Sequence, residues 1–239
     1  MRVQSWCEGP HYVLYDADAA PGITQNHFET SWWQARQAVL GTAPGRASVA
    51  FVRADSGSAW ALRHYRRGGL TGRVIADTYF WNGLEQSRPW REWKLTAALH
   101  EQGLPVPQPI AARVRRSGLF YQGDLITRRI ESAQTLADRL AAQPLTQDGW
   151  RHIGAMLRRF HDAGVRHDDI NARNILLDAA GGFYLIDFDK AAVVPAGAWR
   201  EQNLARFKRS LEKFKTKSPA FRFSEAEWTA LIAGYDEIG

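Results

Sequence analysis

Residues 167–178 read HDDINARNILLD, and a little further on the chain reads FYLIDFDK. Oxygen-bearing side chains of this kind suit a hard cation. Mg²⁺ takes one or two carboxylates or amides from a protein and fills its remaining positions with phosphate and water. Asn174 and Asp187 fit that task, which leaves Asp169 to orient a hydroxyl and accept its proton. The same division of labour operates in phosphoryl transfer. An isolated aspartate pair in a loop would normally be a turn or a helix cap; its joint occurrence with Asn174 and Asp187 argues against that reading.

These groups must be brought together by the elements around them. NILLD, the turn AAGG and FYLID read as a short antiparallel hairpin, with Gly181 and Gly182 supplying the turn. Residues before its first strand and after its second lie at one end, so Asp169 and Asn174 approach Asp187. Upstream, QTLADRLAAQ and TQDGWRHIGAMLRRFHDAG read as helices, the second with an apolar stripe of Trp150, Ile153, Met156, Leu157 and Phe160. The first half differs. Residues 46–65 alternate around ADSGS as two antiparallel strands, and 88–102 form a helix with Pro89 near its start and Gly103 at its stop. After LPVPQP, residues 110–116 and 119–127 make another strand pair. The expected fold is α+β, a small mainly antiparallel β lobe with one helix over residues 1–127 and a mainly helical lobe over 128–239.

Composition narrows the function class. The chain has 239 residues, 45% hydrophobic and 23% charged, with ten Trp. That is enough for a sizeable core in one domain or two small lobes. Cys7 is the only cysteine, so neither a disulfide framework nor a cysteine zinc site is expected, in keeping with a reducing compartment. MRVQSWCEGPHYVLYD lacks the apolar core of a signal peptide, and no run of about 18 apolar residues occurs. Any membrane association is therefore expected to be peripheral. The formal charge of +6 is concentrated in residues 199–217, which hold seven Lys or Arg against two Glu. One basic segment without a nucleic-acid motif makes nucleic acid an unexpected partner.

The spacing H-x-D-x-x-x-x-N followed by apolar-D-F resembles the kinase catalytic loop and metal aspartate, met here by His167, Asp169, Asn174, Asp187 and Phe188. His167 is expected to be structural. Asp168 replaces the arginine through which many protein kinases sense activation-segment phosphorylation, so that control is not expected. Asp189 replaces the glycine of D-F-G, either as a turn residue or as a contact to substrate or metal. In the first half, Gly41 and Gly45 in GTAPGRAS suit a backbone-lined lid over phosphates. Arg63 stands where kinases carry the phosphate-binding lysine, with Glu92 as its acidic partner. DLITRRI, 124–130, falls where a hinge would offer backbone groups to adenine.

The phrases LRHYRRGGL, REWKLTAALHEQGLPVPQPIAARV, HDDINARNILLD, YLIDFDKA and NLARFKRSLEKF resemble the lipopolysaccharide kinase family and its 3-deoxy-D-manno-octulosonic acid (Kdo) kinases, from about residue 45 to 215. The resemblance implies a protein-kinase-like bilobal fold and transfer of the ATP γ-phosphate, with Mg²⁺, to the 4-hydroxyl of Kdo on a lipid A precursor. It also implies a peripheral place on the cytoplasmic face of a bacterial inner membrane. The 52 residues after Asp187 leave little room for a peptide-docking segment, which favours a small or glycan acceptor. Leu204, Phe207, Leu211 and Phe214 recur at helical spacing among Lys208, Arg209, Lys213, Lys215 and Lys217. Such a helix could meet an anionic lipid surface, or its apolar stripe could cover the helical lobe. Arg66 and Arg67 could reach the sugar carboxylate or a lipid A phosphate, or form a solvated strand end. Trp32 and Trp33 suit either packing or a lipid interface. The rival activities are an aminoglycoside- or choline-kinase-type phosphotransferase and a pseudokinase that binds nucleotide or lipid without turnover.

Overall fold

The computed structural model describes residues 1–43, 49–66 and 77–237. These fall into two compact units, one of residues 1–102 and 107–129, the other of residues 103–106 and those from 130 onward.

The first unit is built on one antiparallel sheet. It comprises β1 (Val3–Glu8), β2 (His11–Asp16), a short helix α1 (Thr30–Ala35), β3 (Val39–Ala43), β4 (Val49–Arg53), β5 (Ala59–His64), β6 (Tyr79–Phe80), helix α2 (Arg88–Glu101), β7 (Pro109–Ser117) and β8 (Phe120–Arg128). The strand order is β1-β2-β7-β8-β5-β4-β3, with β6 also paired to β8. Strand alternation sends Trp60 and Leu62 of β5 to one face, where they pack with Trp33, Val52 and Ile126. On the other face, α2 buries Trp90, Trp93 and Ala97 against Leu14, Tyr65, Val114 and Leu125. That face also receives Arg63.

The helix expected over 88–102 is α2, with Pro89 in its first turn and Gly103 at φ +71° beyond its end. Helix α1 lies outside the expected elements. It carries Trp33, which is 1% exposed and packs edge-on against Trp60 at 5.9 Å, while its Nε1–H donates to the His27 carbonyl at 2.8 Å. Trp33 is therefore a core residue, with Trp32 half-buried beside it.

The second unit contains β9 (Gln134–Thr135), α3 (Leu136–Ala142), α4 (Gln147–Asp162), β10 (Val165–His167), β11 (Ile175–Leu177), β12 (Phe183–Leu185), β13 (Ala191–Val193), α5 (Trp199–Lys217) and α6 (Glu225–Asp236). Thr135 and Thr146 cap α3 and α4 by accepting from the Asp138 and Gly149 amides. The stripe on α4 is wholly buried: Trp150, Ile153, Met156, Leu157 and Phe160 are each at most 5% exposed. Its back packs on α6 backbone to backbone. A Cβ at Gly154 would stand 1.9 Å from the Leu231 carbonyl oxygen, and one at Gly234 would stand 2.1 Å from that of Arg151. Only glycine permits this crossing. A β-rich unit with one long helix and a mainly helical unit make up the expected α+β, protein-kinase-like fold.

Candidate active site

The loop expected to carry the chemistry runs from His167, the last residue of β10, to Asn174, which precedes β11. Its backbone is fixed at Asp169 from both sides. The carbonyl of Asp169 accepts from the side-chain amides of Asn171 at 2.8 Å and Asn174 at 2.9 Å. Its N–H donates to His167 Nδ1 at 3.3 Å. Asn171 closes the turn by accepting the Arg173 amide at 2.9 Å. With the main chain held, the Asp169 carboxylate stands partly exposed, 38% accessible, and available to an incoming hydroxyl.

His167 ties the two acidic segments together. Its Nε2–H donates to the Ile186 carbonyl at 3.2 Å while Nδ1 accepts from Asp169, a pattern that requires the neutral ring. Burial pushes its pKa below the ordinary histidine value, with the bond to Ile186 opposing in part. The structural role expected of His167 is the one it has. On the next strand, β11 pairs antiparallel with β12, and the Ile186 amide donates to the Asn174 carbonyl at 2.9 Å. This bond sets Asp187 beside Asn174, as the hairpin argument requires. Asp187 has left-handed backbone, φ +67° and ψ +64°, a conformation that costs a non-glycine residue about 1 kcal/mol. The cost is offset by Phe188, which is buried and packs on His167 and Phe160 with ring centroids 5.3 and 6.0 Å away.

Asn174 and Asp187 fit a hard cation. The amide nitrogen of Asn174 is committed to the Asp169 carbonyl, so its oxygen is the atom left for a metal. Among the described residues no group of three or more His, Cys, Asp or Glu could hold a metal ion. One carboxylate and one amide suit instead a cation that completes its shell from phosphate and water. Asp189 lies in the 3₁₀ turn immediately after Phe188, half-buried. Asp168 is turned away and paired with Arg166 at 2.9 Å.

The first unit holds the other predicted residues. The guanidinium of Arg63 pairs with the buried carboxylate of Glu92 and accepts no competition from water there, since Glu92 is 3% exposed. Tyr65, not singled out in the sequence, completes the group: its hydroxyl donates to Glu92 and accepts from Arg63 Nη2 at 2.9 Å. Gly41 lies within β3 at φ +147°, where the β3–β4 register shifts. Arg66 lines a cavity of about 340 Å³ together with His64, Asp77, Arg113 and Asp124. Gly45 and Arg67 lie outside the described residues. In the stretch expected to offer backbone to adenine, the Arg128 and Arg129 amides are already used, donating to Gln108 and Ala59.

Helix α5 also reaches the site, and of its two expected roles the structure shows the one that covers the helical lobe. Its apolar stripe turns inward: Phe207 and Leu211 are 0% exposed, and Phe214 stacks on Phe221 at 5.4 Å. Asn203 sits on the same stripe one turn earlier, buried, and its side-chain amide donates to the His167 carbonyl at 2.8 Å. Arg206 Nη2 reaches one Asp169 oxygen at 3.4 Å, and Lys190 Nζ approaches the other at 3.5 Å. A polar residue at i−4 from a buried Phe was the available signal for Asn203. Lys190 and Arg206 carried none, because only the fold brings them to Asp169.

Residues 30–235 match the lipopolysaccharide kinase (Kdo/WaaP) family. The chain is 38% identical to a 3-deoxy-D-manno-octulosonic acid kinase of Haemophilus influenzae strain PittEE, over 98% of this chain and 100% of that protein. It is 40% identical to the protein of that name in strain 86-028NP, over 95% and 96% of the two chains. A third such kinase, from Vibrio parahaemolyticus, is 40% identical over 88% of each.

Proposed function

The chain belongs to the lipopolysaccharide kinase (Kdo/WaaP) family and is a kinase, and on that premise we propose that it phosphorylates Kdo in lipopolysaccharide biosynthesis. ATP is the donor, and the acceptor is the 4-hydroxyl of Kdo carried on a lipid A precursor. The observation that carries this reading is the locked loop: Asp169 is fixed through its own amide and carbonyl, and the same histidine and hairpin hold Asn174 and Asp187 next to it.

In the reaction the acceptor oxygen forms a bond to the γ-phosphorus, the bond from that phosphorus to the bridging oxygen of ADP breaks, and the hydroxyl proton passes to the Asp169 carboxylate. Mg²⁺ held by Asn174 and Asp187 would offset the negative charge of the phosphates. Arg63, tethered by Glu92 and Tyr65, supplies a fixed guanidinium for a phosphate, and the glycines of GTAPGRAS, Gly41 and Gly45, are of the residue type that leaves backbone amides open to one. Arg66 and Arg67 are suited to a lipid A phosphate, and Asp189 to a sugar hydroxyl.

We place the protein peripherally on the cytoplasmic face of the inner membrane. No described helix is long and apolar enough to cross a membrane. Because the stripe of α5 is spent on its own unit, that helix can meet lipid only through charge: Arg209, Lys213, Lys215 and Lys217 are exposed. Apolar contact has a better candidate at the β7–β8 turn. There Leu119, Phe120 and the neighbouring Phe80 are 66%, 46% and 54% exposed, beside the exposed Arg115 and Arg116. Large apolar side chains rimmed by arginine suit an anionic bilayer surface.

Mass spectrometry of the product made from ATP and Kdo-bearing lipid A precursor tests the acceptor and the position together. One added phosphate on Kdo at the 4-oxygen is expected. Phosphate on aminoglycosides or choline alone, or nucleotide binding without transfer to any acceptor, would overturn the proposal.

A further inference from the structure

Asp169 is met by two cations from elements distant in sequence: Lys190, after the metal aspartate, and Arg206, on α5. Each approaches a different carboxylate oxygen, at 3.5 and 3.4 Å. These are longer than a formed charge-assisted bond of about 2.7–2.9 Å. The same protein makes such bonds where it uses them structurally, as in Arg113 to Asp124 at 2.8 and 2.9 Å with both side chains buried. Lys190 and Arg206 are instead 61% and 47% exposed, so the pairing with Asp169 contributes little to stability. Nor does Arg206 pack inward: the buried face of α5 is Asn203, Phe207 and Leu211.

Two solvated cations beside the one carboxylate that must face a hydroxyl form an anion-binding edge. A neutral polyol could only accept ordinary hydrogen bonds from them, without charge pairing. An acceptor bearing its own carboxylate would gain two charge-assisted contacts and be oriented by them, with its reacting hydroxyl toward Asp169. We propose that Lys190 and Arg206 are positioning and specificity residues that bind the carboxylate of an acidic sugar acceptor. The inference rests on the proposed activity toward Kdo, which is such an acid. The donor phosphates are the other anion in the reaction, and they are assigned to Arg63 and, through the cation, to Asn174 and Asp187.

The test is steady-state kinetics of the full chain with ATP, Mg²⁺ and a Kdo-bearing lipid acceptor, compared with the carboxyl methyl ester of that acceptor. Arg206→Ala and Lys190→Ala are each expected to raise the acceptor KM about tenfold, with the KM for ATP unchanged and unaltered melting temperatures. Arg206→Lys should recover part of the loss. The ester should impose a similar penalty on the wild type and little further penalty on the variants. Unchanged acceptor KM in both variants, or a rise in the KM for ATP instead, would overturn the carboxylate subsite while leaving the Kdo activity in place. A wild type inactive on both acid and ester would overturn the proposed activity and the subsite with it.

Discussion

Asn203 donates its side-chain amide to the backbone carbonyl of His167, 36 positions earlier in the chain, at 2.8 Å. Its oxygen faces His161 Nε2 at 3.2 Å, and His161 Nδ1 faces the Tyr235 hydroxyl at 2.8 Å. A line of buried hydrogen bonds thus runs from α6 through α4 and α5 to the first residue of the catalytic loop. Each member is satisfied only if the others are in place, which makes the C-terminal helices part of the machinery that sets Asp169.

Asn203→Ala should expose the weakness of that line. It strands the His167 carbonyl and the His161 ring in a buried setting, at a cost of about 1–3 kcal/mol in unfolding free energy. Denaturant melts should show this loss. The kcat should fall more than the KM for ATP rises, because what moves is the loop bearing the proposed base and not the residues of the first unit proposed to bind phosphate. An unchanged kcat in a folded variant would separate α5 from catalysis.

His161 makes stability depend on pH. Burial, opposed by its bond to Asn203, holds its pKa at about 4, below the usual histidine value near 6.5. The unfolded chain therefore takes up a proton at a pH where the folded one does not. Its contribution to stability is full above about pH 6.5 and falls as pH drops toward about 4, by on the order of 3 kcal/mol in all. His167, shifted the same way, adds to the slope. Urea midpoints between pH 4 and 7.5 should show a shallower acid loss in His161→Gln than in the wild type. Parallel curves would remove this role.

The proposed base and the proposed metal ligand should fail differently. Asp169→Asn is expected to keep ATP affinity and lose about 10²–10⁴-fold in kcat, since only proton acceptance and hydroxyl orientation are removed. Asp187→Ala should abolish the Mg²⁺-dependent part of ATP binding, measured by calorimetry with and without the ion, because one of two proposed ligands is gone. Equal effects of both substitutions on ATP binding would contradict the division of roles between them.

The geometry of the loop at 167–174 was legible because its contacts are local. The apolar triplets of β11 and β12 and the turn at Gly181, φ +87°, fix a hairpin whose open end must hold Asn174 and Asp187 together. Helix α2 was legible for the same reason, since Pro89, the apolar spacing and Gly103 all lie within one segment. What the sequence withheld was partnership over distance. The stripe of Phe207 and Leu211 announced an apolar face without saying what covers it, and the answer is the core of the second unit. Lys190 and Arg206 gain meaning only from the approach of α5 and of the 3₁₀ turn before β13 to the loop. At the other end of the chain, β1 is an edge strand of exposed and half-exposed residues, VQSWCE, so it lacks the alternation that would have marked it.

Membrane binding should divide between two surfaces with different physics. Leu119→Glu combined with Phe120→Glu removes exposed apolar area and adds negative charge at the β7–β8 turn. Sedimentation with anionic vesicles should then weaken even at high salt, because apolar insertion is not screened. Reversing Lys213, Lys215 and Lys217 to Glu should weaken binding mainly at low salt, each lysine near the surface contributing about 1 kcal/mol over a Debye length. Neither set touches a buried residue, so both variants should melt like the wild type. If the turn variant sediments unchanged while the α5 variant does not, docking is purely electrostatic and the exposed Leu119 and Phe120 have another purpose.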